Sequence, residues 1–152
     1  MHQQKLKSTI VELPYATITF RKEGFIYLHY KGCLLTLEEA KTIFELVRAN
    51  SPWQKCPLLI SEDDFSAQDK ESRLFNENPE VLKHYTAKAF IVKNTAQKIV
   101  YNFYVTVFKN QLPVRCFLTE EEGVEWLMQF TPLNERVEEV SPHRGEERRS
   151  DL

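Results

Sequence analysis

Glycine is nearly absent from this chain. Its 152 residues include four, at Gly24, Gly32, Gly123 and Gly145. That spacing excludes a glycine-rich phosphate loop and a dinucleotide-binding fingerprint. Cysteine is as scarce: Cys33, Cys56 and Cys116 are odd in number and have no metal-ligand spacing. A disulfide framework and a structural zinc module are thereby excluded, and reduced, buried thiols in a cytoplasmic protein are expected. Long apolar runs are missing too. The longest, 99–108, is interrupted by Asn102 and falls far short of the roughly 20 residues a membrane span needs. The first 14 residues carry charge but no apolar signal core. Charge of one sign is not in excess, since the formal net charge is -2 and the pI about 6.1. No electrostatic argument therefore supports a nucleic-acid partner.

Aromatic residues are plentiful. Ten Phe and six Tyr within a 42% hydrophobic composition supply the core of one domain without metal or disulfide staples. The domain is expected over residues 14–130. Residues 1–13 read as a flexible polar arm. Residues 131–152 read as a disordered or loosely docked tail, with mixed charge and a Glu146-Glu147-Arg148-Arg149 ending.

Two runs at the start of the domain alternate with period two. Ala16, Ile18 and Phe20 share one face, and Ile26, Leu28 and Tyr30 share one face of the next run. Lys22-Glu23-Gly24 joins them as a hairpin. Thr36-Leu37-Glu38-Glu39 is a capping box opening a helix with Leu37, Ala40, Ile43, Phe44 and Val47 at helical spacing. A beat then repeats three times: an apolar strand followed by a capped helix. The strands are 56–60, 87–92 and 114–118. Their helices start at Ser66, Thr95 and Thr119, and a further helical turn is expected over 79–84. Such alternation predicts an α/β fold with parallel neighbours. The 95–109 helix reads as the central core helix, with Phe103 buried against the sheet.

Candidate sites were weighed against plainer readings. Glu62, Asp63 and Asp64 follow the 56–60 strand, and ligands of open α/β sheets gather at the carboxyl ends of strands. The plainer reading is a solvated acidic loop near a helix N-terminus. Ser61 and Ser66 flank these acids as possible phosphate acceptors. As an ordinary residue, Ser66 would simply be the cap of the next helix. A phosphoryl-receiver arrangement fails, because the first two strands end in Lys31-Gly32-Cys33 with no acidic pair. No thiol–imidazole pair follows from Cys56 and His84, and His29 reads as a surface or half-buried residue rather than a ligand. No acid, base and nucleophile converge, so no enzyme, catalytic residue, cofactor or metal is expected.

The order of elements resembles the STAS-like group of small bacterial proteins, similar to anti-sigma-factor antagonists, in particular the SpoIIAA-like, STAS/SEC14-type branch. Most of the resemblance lies in Leu112-Pro113-Val114-Arg115-Cys116-Phe117 followed by Thr119-Glu120-Glu121-Glu122-Gly123-Val124-Glu125-Trp126-Leu127. It implies a single five-stranded mixed sheet, an N-terminal β-hairpin followed by strand–helix units in a β-α superhelix. It also implies a regulatory, protein-binding module that engages a kinase or a larger sensory assembly. In that family a Ser or Thr at the start of the helix after the middle strand is phosphorylated, and Ser66 best matches it. The family's Asp-Ser pair is missing there, because Ser66 follows Phe65. The expected partner surface comprises Ser66, Ser61, Asp63 and Asp64. Likeness to lipid-carrying domains adds a second expectation, a carrier or sensor of a small hydrophobic ligand. Apolar Phe25 and Tyr27, on the second face of the hairpin, predict a homodimer packed through that side.

Overall fold

The computed structural model describes residues 9–108 and 112–132. The expected arm over 1–8 and tail over 133–152 lie outside the described residues. The chain order is β1 (Thr9–Glu12), β2 (Ala16–Arg21), β3 (Phe25–Tyr30), β4 (Leu34–Leu35), α1 (Leu37–Asn50), β5 (Cys56–Glu62), β6 (Ala67–Gln68), α2 (Lys70–Asn76), α3 (Pro79–Leu82), β7 (Tyr85–Ile91), α4 (Thr95–Phe108), β8 (Val114–Phe117) and α5 (Glu120–Leu127). A 3-10 turn, Met128–Phe130, closes the domain.

The main sheet has six strands in the order β1-β2-β3-β5-β7-β8. Its first three strands are antiparallel, and β3, β5, β7 and β8 are mutually parallel. The mixed sheet, hairpin and parallel strand–helix units are as the sequence implies, with one strand more than the expected five. The extra strand is β1, from the segment read as an arm. Val11 pairs with Ile18 there, and β1 is largely exposed at the sheet edge. β4 and β6 form a separate two-stranded parallel ribbon.

The helices divide between two faces. The crossover helices α1, α2, α3 and α4 lie on one face, which we term the crossover face. There Ile18, Ile26, Leu28 and Leu58 pack with Ala40, Ile43 and Val47 of α1 and with Val81 of α3. The capping box forms as expected, with Thr36 accepting from the Glu39 amide and Glu39 bonding back to the Thr36 N–H. The opposite face is covered by α5. Phe25, Leu59, Ala87, Ala89, Phe117 and Leu127 are buried together there, with Tyr27, Val124 and Trp126 at the margin. This removes the motive for the homodimer: Phe25 is fully buried under the chain's own last helix.

Gly123 allows that close approach. A Cβ at this position would lie 2.9 Å from Leu59 Cδ1 and 3.1 Å from Ile91 Cδ1. The Pro-x-Arg-x-Phe pattern gains a structural reason on the same face. Arg115 lies over the rings of Phe117 and Trp126, 5.3 Å and 6.0 Å from their centroids. Trp126 in turn packs on Phe130.

Two expectations about helices are corrected. Phe103 is not buried: it is 68% exposed, and Ile99 and Val100 are exposed beside it. The helix is turned so that Asn102 faces the sheet, where its Oδ1 accepts from the Cys116 amide at 3.1 Å. That bond serves a strand N–H at the sheet margin and sets the phase of α4. Ser66 is not a helix cap. Asp69 caps α2, its side chain accepting from the Ser72 N–H, because β6 intervenes between Ser66 and the helix.

Candidate functional site

The β7 strand is irregular where it matters. Cys56 pairs with Tyr85, and Leu58 pairs with Lys88. From the first pair to the second, β5 advances by two residues and β7 by three. The extra residue puts Tyr85 and Lys88 on the same, crossover face despite their odd spacing. Beyond it the alternation resumes, with Ala89 toward α5 and Phe90 toward the crossover helices.

A cavity of about 280 Å³ lies on this face, over the carboxyl-terminal halves of β5, β7 and β8. Its apolar wall includes Ile60, Phe90, Val92, Leu82, Leu112 and Val114. Helix α4 contributes Tyr101, and exposed Arg73 of α2 and Glu77, the C-cap of that helix, also line the cavity. A smaller cavity of about 110 Å³ runs beneath α1 and shares Tyr30, Ile60, Lys88 and Phe90 with the first. The lining mixes this apolar wall with polar and charged groups, Ser61, Glu62, Gln68, Arg73, Glu77 and Lys88 among them, and the volume is close to the lower limit of small-molecule sites.

Two polar groups in the shared wall stand out. Lys88 lies among alanines and aromatics, and burial lowers its ammonium to about 8 despite the carboxylate of Glu77. Among the described residues, that ammonium has no hydrogen bond or ion pair. The phenol of Tyr30, a half-buried residue, likewise has no hydrogen-bond partner among the described residues. Burial first, and then the charge of Glu62, push its ionisation well above the ordinary tyrosine range. Burial also raises the Glu62 carboxyl, against the pull of Lys93 and His29. Cys116, also in the lining, is raised by burial to about 11, which makes it an unreactive thiol. All three cysteines are free.

The residues singled out from the sequence gather at the carboxyl ends of β3 and β5, but in an unexpected arrangement. Ser61 pairs in register with His29 across the parallel strands. Ser61 Oγ lies 2.7 Å from His29 Nδ1 and 3.0 Å from the Tyr27 hydroxyl. His29 Nε2 lies 2.9 Å from Asp63 Oδ1. A carboxylate only accepts, so Nε2 donates to Asp63; with a neutral imidazole Nδ1 then accepts from Ser61, and Ser61 accepts from Tyr27. A hydroxyl, an imidazole and a carboxylate thus do converge here, contrary to the expectation from sequence, because the strand register brings His29 beside Ser61. The arrangement can relay a proton. His29 was missed as a member because more than thirty residues separate it from Ser61. Only the strand register joins them.

Asp64 and Ser66 are not part of that chain. Asp64 pairs with Lys93 at 3.2 Å, and Lys93 also donates to the Glu62 carbonyl, tying the acidic loop to the end of β7. Ser66 donates to the Lys31 carbonyl at 2.9 Å. Gly32 lets the two connections meet, since a Cβ there would stand 2.9 Å from the Asp64 carbonyl oxygen. Between them Phe65 points outward, 95% exposed and with φ of 68°. A left-handed aromatic residue is strained, and the loop holds it in place. Among the described residues no three His, Cys, Asp or Glu side chains group as metal ligands.

Relatives agree with this architecture. The family described as a domain of unknown function, DUF7793, matches residues 19–131. The chain belongs to that family. No curated protein matches it. Among solved structures it is similar to an uncharacterised protein of the DUF3478 family with a SpoIIAA-like fold from Shewanella loihica. The two share 14% sequence identity with a TM-score of 0.52, over 79% of this chain and 91% of the other. The fold is therefore SpoIIAA-like, as the sequence resemblance implied. No helix among the described residues is long and apolar enough to cross a membrane.

Proposed function

We propose that this protein is a non-enzymatic binding module of the SpoIIAA-like fold, whose crossover-face cavity receives a small, largely apolar molecule as a carrier or sensor. One observation carries the reading: a cavity of about 280 Å³, with an apolar wall, opens over the ends of three parallel strands. Open α/β sheets bind ligands at that end. Free, buried thiols suit a reducing, cytoplasmic setting. The test is a native mass spectrum of freshly purified full-length protein. A small adduct released on denaturation is expected. A bare mass, together with no uptake of any apolar probe, would overturn the reading.

A second reading, a regulatory module that docks a protein partner such as a kinase or sensory assembly, draws support from Phe65. An aromatic side chain held outward beside Asp63 and Asp64 is an expensive feature for a loop with no partner. Phe65→Ser should leave the fold intact and reduce co-purification of a partner from the native host. Unchanged co-purification would remove this surface from consideration. Ser66 fits less well as a switch, since its hydroxyl is turned to the Lys31 carbonyl.

A further inference from the structure

The cavity wall carries charge of both signs, with Glu62 and Glu77 beside Arg73 and Lys88. Lys88 carries only donors, and the Tyr30 phenol also has a proton to give. Both line the two connected cavities, and neither finds an acceptor among the described residues. Both residues are half-buried, and donors withdrawn from water are nearly always paired. The missing partner is an acceptor, and for Lys88 an anionic one. The charge count limits its nature. One ammonium matches a single negative charge. Glu62 lies near enough to Tyr30 to act on its ionisation, and Glu77 near enough to act on Lys88, so a dianionic phosphate would meet repulsion from both. The apolar part of the lining, Ile60, Phe90, Val92 and Val114, accepts a hydrocarbon chain or ring.

We infer that the ligand is an amphiphile with a carboxylate head, seated with the carboxylate on Lys88 and Tyr30 and its apolar body against Ile60, Phe90, Val92 and Val114. This rests on the cavity reading above and adds the chemistry of the head group. Arg73, on the exposed side of the cavity, attracts the same charge during entry.

Octanoate, octanol and methyl octanoate are suitable probes, titrated by calorimetry into the full-length protein at pH 7. Octanoate should bind about ten- to a hundredfold tighter than either neutral analogue, the gain of a charge-assisted hydrogen bond. Lys88→Met should erase that preference, so that octanoate binds no tighter than octanol. A cooperative melt with a wild-type circular-dichroism spectrum shows that the variant is folded. Tyr30→Phe should reduce the preference by a smaller factor. If all three probes bind wild type equally, the carboxylate assignment is wrong and the cavity reading stands. Retention of the preference by Lys88→Met likewise overturns the assignment. If no probe binds, both readings fall.

Discussion

The two faces of the sheet are built to different standards. Under α5 the packing is dense: Gly123 sits where no side chain fits, and Phe25, Leu59 and Leu127 are fully buried. Under the crossover helices there are two connected cavities, a lysine without a partner and a helix whose apolar residues face outward. The same strands supply both faces, so strand composition alone does not explain the contrast. It arises from the layer above. The α5 helix lies directly on β5 and β7, whereas α4 sits over the edge strand β8 and leaves the middle of the sheet uncovered. One face supplies stability, and the other is left available for a guest.

That contrast can be broken by substitution. Leu127→Ala should destabilise the domain by about 3 kcal/mol, as emptying a filled core site does, read as a lower denaturant midpoint at constant m-value. Gly123→Val should cost about 2 kcal/mol by overpacking against Leu59 and Ile91. A negligible change for both would mean that α5 is loosely attached.

The hollow face should reveal itself through pH. Lys88 titrates near 8 in the folded protein and near 10.5 when unfolded. Between those values this residue binds more protons in the unfolded chain, so its contribution to stability should rise as pH increases from about 8 to about 10. The thiols of Cys56 and Cys116, raised by burial to about 12 and about 11, oppose this from about pH 9 upward, and Tyr30 and Tyr85 add to the opposition at higher pH: the unfolded chain loses all of these protons first. Denaturation midpoints should climb for wild type between about pH 8 and 9 and turn down above that as the thiols of the unfolded chain ionise, and the climb should be absent in Lys88→Met. Phe103→Ala should do least, moving stability by no more than about 0.5 kcal/mol, as exposed positions do. A loss like that of Leu127→Ala would mean that α4 is buried in solution.

The strands were legible because period two leaves little freedom. Ala16, Ile18 and Phe20 had to face one way, and they do. The phase of α4 was not legible. Ile99, Val100 and Phe103 form a convincing core stripe by spacing, in a helix apolar nearly all round, where hydrophobicity assigns no unique inner face. The usable signal was the polar residue: Asn102 faces inward because a strand amide needs an acceptor. β1 was missed because four residues at an exposed edge carry too little apolar content to announce a strand. The cavity had a visible mark in Lys88, a charge inside an apolar strand, but its meaning depends on the layer above it.

The extra residue in β7 also gives the chain a phase, in the sense that a reading frame has one. Ahead of it, Tyr85 counts with the layer beneath α1. Behind it, Lys88 still counts with that layer, although simple alternation would put the two on opposite sides. Deleting Thr86 would keep every other side chain and still force a choice. Either Tyr85 leaves its seam with the first helix, or Lys88 turns toward α5 and the floor of the cavity loses its cation. A frame set by one residue makes length, rather than identity, the quantity to compare first among sequences of this family. A member one residue shorter here would hold a different site on the same fold.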